Sequence, residues 1–205
     1  MKVGQGDTTK TFAIHKGILC FYSGYFEAGM NGNFAESRNN LIELPTEDIG
    51  IFERVVPWLY TSRINLLSDT HSAFAIACAI WIFADRRVMP LLADTMIDAI
   101  GDAVVESGVV PTTRLHYIYH NTTPDAKLRK FVVMLISRMH DSSFLDTMTD
   151  EQREEWPREA MWDVMQAVWA AKDRGVWNKM TKTELEVLKL CEYHQHDQAV
   201  DCTDD

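Results

Sequence analysis

The chain has 205 residues, 46% of them hydrophobic, and a formal net charge of −10. That length suits one domain, or one domain with an extension, and that apolar content builds a real core, which excludes a disordered chain. Residues 1–107 carry 8 basic and 13 acidic side chains and residues 108–205 carry 12 and 17, so neither half offers a basic stripe for phosphates and direct nucleic-acid binding is not expected.

In chain order, Met1 to Lys10 is short and polar, with no signal peptide. No apolar run approaches the roughly 20 residues that span a bilayer. No membrane contact is expected, and the expected location is cytoplasmic or nuclear. Phe12 and Ile14 alternate with Ala13 and His15, as in a half-buried strand. The apolar spacing then turns helical through Ile18, Leu19, Tyr22, Tyr25, Phe26 and Met30. Gly29, Gly32 and the polar cluster of residues 31–33 end this second helix, and Ser37 to Asn40 reads as a loop. Leu41 to Leu44 predicts a short strand stopped by Pro45. Thr46 can cap the next helix, whose face is Ile51, Phe52, Val55, Val56, Leu59 and Tyr60, and Pro57 inside it predicts a bend. Strand, two short helices, strand and helix in so few residues make an α+β core.

From Ala73 the chain reads as all helix. Ala73, Ile76, Ala77, Ile80, Trp81 and Ala84 share one face, and Pro90 opens a helix facing inward with Leu92, Met96, Ile100 and Val104. Gly108 and Pro111 place a domain boundary, giving residues 1–107 and a helical extension over 108–205. In the extension, Leu115, Ile118 and Tyr119 mark a short helix, and Thr123-Pro124-Asp125 starts another with Leu128, Phe131, Val132, Leu135, Ile136 and Met139. Trp156-Pro157 opens a helix with Met161, Val164, Met165, Val168 and Trp169, read as core at helical spacing, and Glu184 to Leu190 reads as the last helix. A polar tail from about residue 195, ending Asp204-Asp205, is expected to fray.

The stretches FAIHKGILCFYSGYFEAGM and LIELPTEDIGIFERVVPWLYTSRI resemble the BTB/POZ domain, nearest the large fungal group with an F-x-V-H-K strand, an S-x-Y-F helix and a W-L-Y-T helix end. IWIFADRRVMPLLADTMIDAI continues the likeness, and YIYHNTTPDAKLRKFVVMLI is similar to that group's Y-x-N-T … L-R motif. The resemblance implies a BTB/POZ fold, a small sheet flanked by helices, followed by an all-helical extension. Only Lys2-Val3 is left for the family's N-terminal strand, so that edge is expected to be incomplete. The family relation further implies a self-association face on the first helix, at Ile18, Leu19, Phe21 and Tyr22. It also implies that Phe34-Ala35-Glu36, a hydrophobic–any–Glu pattern after the second helix, contacts a cullin-3-type scaffold through Phe34 and Glu36.

Catalytic and metal constellations are weak beside this. His15, Lys16 and Cys20 lie close in sequence, but nothing in the sequence puts a base within reach of a nucleophile. His116 and His120 share a helix face without a third ligand, and His194 and His196 fall in the tail. Glu151, Glu154, Glu155 and Glu159 crowd a helix start, where acids are favourable and solvated, and Arg86-Arg87 is too small for a nucleic-acid footprint. Cys20 and Cys78 sit in apolar helical runs as small hydrophobes; with Cys191 and Cys202 they form no C-x-x-C pair, which fits a reducing compartment while leaving bridges open. No catalytic residue, metal or cofactor is expected. The expected function is a non-enzymatic interaction module that associates with itself or another BTB protein and acts as an adaptor for a cullin-based ubiquitin ligase. The alternative is a scaffold or transcription-linked regulator that dimerises without a ligase.

Overall fold

Val3 is fully buried between polar neighbours, and it anchors a small sheet at the start of the chain. The computed structural model describes residues 1–6, 8–32, 35–66, 70–176 and 178–195. In it, Lys2–Val3 (β1) pairs antiparallel with Lys10–Thr11 (β2) and parallel with Glu43–Leu44 (β3), in the order β2-β1-β3. The return from β1 to a parallel β3 needs a crossover, and short helices supply it.

The crossover holds Lys16–Tyr22 (α1), Gly24–Asn31 (α2) and Ala35–Asn39 (α3). Ser23 ends α1 and caps α2, its hydroxyl accepting the Phe26 N–H at 3.1 Å. Lys16 reaches back to donate to the Met30 carbonyl at 2.8 Å, placing a cation at the negative end of α2. Ile49–Thr61 (α4), Thr70–Arg86 (α5) and Pro90–Ser107 (α6) complete the first part. Pro90 occupies the first turn of α6, and Gly108 closes that helix at φ 68°.

The extension is helical. It holds Leu115–Asn121 (α7), Lys127–Met139 (α8), Ser142–Thr147 (α9), Asp150–Glu154 (α10), Arg158–Asp173 (α11) and Lys182–Glu186 (α12), then a 3-10 turn at Leu190–Tyr193. One hydrophobic core runs through both parts, from Val3 and Phe52 through Trp81 and Met96 to Phe131 and Tyr193. The C-terminal segment is seated on α6. Lys182 donates to the Glu106 carbonyl at 2.8 Å, His194 meets Asp98 at 3.0 Å, and the Gln195 N–H donates to Asp94 at 2.6 Å.

Several expectations are corrected. Phe12 and Ile14 are not in a strand: β2 is Lys10–Thr11, Phe12 follows it with a reciprocal pair of backbone bonds to Met1, and the His15 N–H turns to the Tyr60 hydroxyl. The Phe12 and Ile14 side chains still pack on the core, Phe12 edge-on to Phe52 at 4.9 Å. Ser37 to Asn39 are helical in α3 rather than loop, with Asn40 leaving at φ 48°. Asp48, not Thr46, caps α4 by accepting the Ile51 N–H. Thr123-Pro124-Asp125 forms a turn, since Ala126 stays extended, and α8 begins at Lys127. The last predicted helix splits into α12 and the 3-10 turn. The short helices α9 and α10 were not foreseen. Cys20 and Cys78 are free thiols, whereas Cys191 is disulfide-bonded.

Candidate interaction surface

Helix α1 is an amphipathic helix of about two turns with its faces sharply divided. Leu19 is 2% exposed and belongs to the core, which corrects its place on the expected self-association face: it has no surface to offer a partner. Ile18 and Tyr22 are half-buried against the core, Tyr22 resting on Trp58 with ring centroids 4.9 Å apart. Phe21 points the other way. It is 76% exposed, and its ring meets that of Tyr22 edge-on.

Tyr25, Val88 and Leu91 are all exposed apolar side chains. The turn between α1 and α2, which Phe21 and Tyr25 flank, is tied to the turn between α5 and α6, which holds Val88 and precedes Leu91. Ser23 Oγ donates to the Arg87 carbonyl and the Gly24 N–H donates to the Val88 carbonyl at 3.1 Å. A side chain at Gly24 would meet Val88 Cγ1 at 3.3 Å, so glycine permits this approach. Arg87 holds the cluster from behind: it pairs with the half-buried Glu47 and stacks on the Tyr25 ring at 4.6 Å. Arg86 donates to Asn121. The basic dipeptide is therefore structural. Val88 itself stands at φ 51°, a left-handed conformation that disfavours a β-branched residue. An exposed valine held there is the clearest local sign of constraint on this surface.

The second expected contact is divided by the limits of the described residues. Phe34 lies outside them. Glu36 is exposed in the first turn of α3, where its charge complements the helix.

Residues 2–82 match the family model of the BTB/POZ domain. The chain carries a BTB/POZ domain. The matched region spans the sheet and α1 to α4, and it ends inside α5. BTB domains are a protein-interaction family that associate with themselves or with protein partners. Phe21 and Tyr25 thus lie on the surface of an interaction domain, and Val88 and Leu91 adjoin it from just beyond the match. No curated protein matches the chain.

The other candidate constellations are not brought together. His15 is exposed beside the Tyr60 ring, while Cys20 Sγ faces the Phe26 carbonyl. His116 and His120 stack in solvent with centroids 6.1 Å apart. Among the described residues no group of three or more His, Cys, Asp and Glu could hold a metal ion. His196 lies outside the described residues; His194 is buried and bonded to Asp98 instead of fraying. Glu151, Glu154, Glu155 and Glu159 are all exposed. Among the described residues no helix is long and apolar enough to cross a membrane.

In the extension, the residues of the Y-x-N-T … L-R motif do come together. Arg129 is buried; its Nε donates to Thr122 Oγ1 at 2.8 Å, and its Nη2 donates to the carbonyls of Tyr119 and Thr122. Its guanidinium also lies over the Tyr119 ring at 4.3 Å. The Tyr119 hydroxyl in turn donates to Asp163 on α11 at 2.6 Å. Burial first, then the bond to Asp163, pushes the Tyr119 phenol far above its ordinary pKa. The motif is a clamp joining α7, α8 and α11.

Proposed function

We propose that the chain is a non-enzymatic adaptor. Its BTB domain pairs with a second copy, or with another BTB protein, through the patch centred on Phe21. The segment Phe34-Ala35-Glu36 reaches a cullin-type scaffold of a ubiquitin ligase, in the cytoplasm or nucleus. The exposure of Phe21 on α1 carries this reading, with exposed Tyr25, Val88 and Leu91 on the elements tied to that helix. Aromatic side chains are favoured at interface centres, and a patch of this kind pays little to be covered, because its polar backbone is already paired. Across a two-fold axis, Phe21 would meet the same patch on the partner. Half-buried Ile18 and Tyr22 would border the contact, and exposed Glu36 is available for a polar bond.

Sedimentation velocity over a range of concentrations tests the pairing. The wild type should associate, and Phe21→Asp should be monomeric with its circular dichroism unchanged. A wild type that stays monomeric at high concentration would rule out self-pairing. Pull-down on purified cullin tests the second contact. The Phe34→Ala/Glu36→Ala variant should lose binding, and equal capture of both proteins would remove the motif assignment. A dimer that never captures cullin would leave the scaffold role without a ligase.

A further inference from the structure

The groove between α9–α10 and α11 lies in the extension, and its argument is independent of the BTB patch. The sequence spacing of α11 predicted a core face at Met161, Val164, Met165, Val168 and Trp169. Of these five, Val164 packs on the core and the other four do not. Small residues, Ala160 and Ala171, face inward, while Met161, Trp162, Met165, Val168 and Trp169 are exposed. Trp162 and Trp169 are 56% and 57% exposed. This apolar side of α11 borders a groove of about 540 Å³ lined by Leu145, Met148, Trp156, Met161, Met165 and Trp169. Methionines and tryptophans in one exposed groove give adaptable, largely apolar contact area for another helix.

The charge around it selects the partner. The wall opposite α11, residues 141–155, holds six acids and one base. That base, Arg153, lines the groove and is already paired with Asp150 at 3.1 Å. Glu151, Glu154 and Glu155 are exposed. The bases of α11, Arg158 and Lys172, stand near its two ends and leave the middle apolar. We infer that this groove is a docking site for a basic amphipathic helix of another protein. The apolar face of that helix would lie on Met161, Met165 and Trp169, and its Lys and Arg would face the acidic wall. A helix suits it better than a strand, because the walls are helices and present no unpaired strand edge. A second copy of this chain would set acidic wall against acidic wall. Residues 196–205 contain four Asp and no Lys or Arg, so they repel the same wall.

The test uses the full chain and a fluorescein-labelled peptide of Leu and Lys at amphipathic helical spacing, followed by anisotropy. The controls are a scrambled peptide of the same composition and a Leu/Glu counterpart. The wild type should bind the amphipathic Leu/Lys peptide and neither control. Trp169→Ala with Met165→Glu should weaken binding at least about tenfold, as expected for loss of an interface centre. Glu151→Lys with Glu154→Lys should weaken it several-fold, and because these side chains are exposed the second pair stays informative even if the first perturbs folding. Equal binding of the scrambled or acidic peptide, or unchanged binding by both variants, would overturn the inference. So would a wild-type oligomer that Trp169→Ala dissociates, since the occupant would then be a second copy.

Discussion

At the scale of single residues, two side chains carry more than their sequence positions suggest. Arg129 is a buried charged residue in the first turn of α8, and its guanidinium is spent on the carbonyls of Tyr119 and Thr122 and the Thr122 hydroxyl. Its ion pair with Glu159 at 3.5 Å adds little, because Glu159 is mostly exposed. Arg129→Ala would leave those acceptors without their donor, at a cost of about 1–3 kcal/mol for the unsatisfied groups. The expected outcome is a lower midpoint in chemical denaturation, with Arg129→Lys restoring only part of it, since an ammonium cannot reproduce the fork. Val88 is the opposite case, a residue whose conformation is unfavourable where it stands. Left-handed backbone costs an ordinary residue about 1–2 kcal/mol. Val88→Gly should therefore raise thermal stability while weakening association in sedimentation. A variant that gained stability and kept full association would show that Val88 gives the patch no contact area.

At the scale of elements, the joint between the C-terminal segment and α6 is built on acids. Asp94 and Asp98 on α6 receive Gln195 and His194. Burial works against charge on His194, but the hydrogen bond to Asp98 and the negative charges of Asp98 and Asp94 outweigh it, despite Lys127, and hold its pKa above the ordinary value. The protonated imidazole therefore stabilises the fold. That contribution is complete below the unfolded value near 6.5 and is lost as pH rises through the higher native value. His140 acts in the reverse direction. Burial, aided by Lys179, holds its pKa low against the Val110 carbonyl and Asp141, so stability falls as pH drops below 6.5 through its native value. Denaturation at a series of pH values should show a decline above 6.5 that His194→Gln abolishes. If the two proteins kept parallel profiles, His194 would not be the group that locks the segment. The same joint explains Gly101, where a side chain would stand 3.1 Å from Leu190 Cδ1.

For the whole molecule, the continuity of the core is the governing fact. Trp81, Ile100 and Phe131 belong to one apolar cluster that crosses the Gly108 break. The break is a turn in the chain and not a gap in the packing. Calorimetry of the full chain should show a single cooperative transition. A fragment of residues 1–107 should be markedly less stable, because the α6 surface covered by α12 and the 3-10 turn would face water. Two separated transitions, with the fragment as stable as the parent, would show that the halves fold independently. The adaptor role proposed above would gain from this construction, since a contact at Phe21 and one at α11 would share a common core.

The sequence alone determined the identity of the BTB region and the order of its longer helices, though not α3. Its signals there are local: helical spacing from Ile18 to Met30, the Pro90 start and the Gly108 stop. It also predicted that Phe21 stands on an interaction helix, and its motif spacing picked out Tyr119, Thr122 and Arg129. It could not say which way short amphipathic helices face. Leu19 and Phe21 are both apolar, and α11 is apolar around much of its circumference, so periodicity cannot choose between a buried and an exposed side. That choice depends on what packs against the helix. Ala160 and Ala171 are small enough to let α11 settle on the extension, and doing so left its methionines and tryptophans outside. Likewise, only tertiary bonds, Gly24 to Val88 and Ser23 to Arg87, tie the turn after Phe21 to residues more than sixty positions away. Local spacing determined which of the longer segments are helical; tertiary packing decided which of their apolar faces remain open.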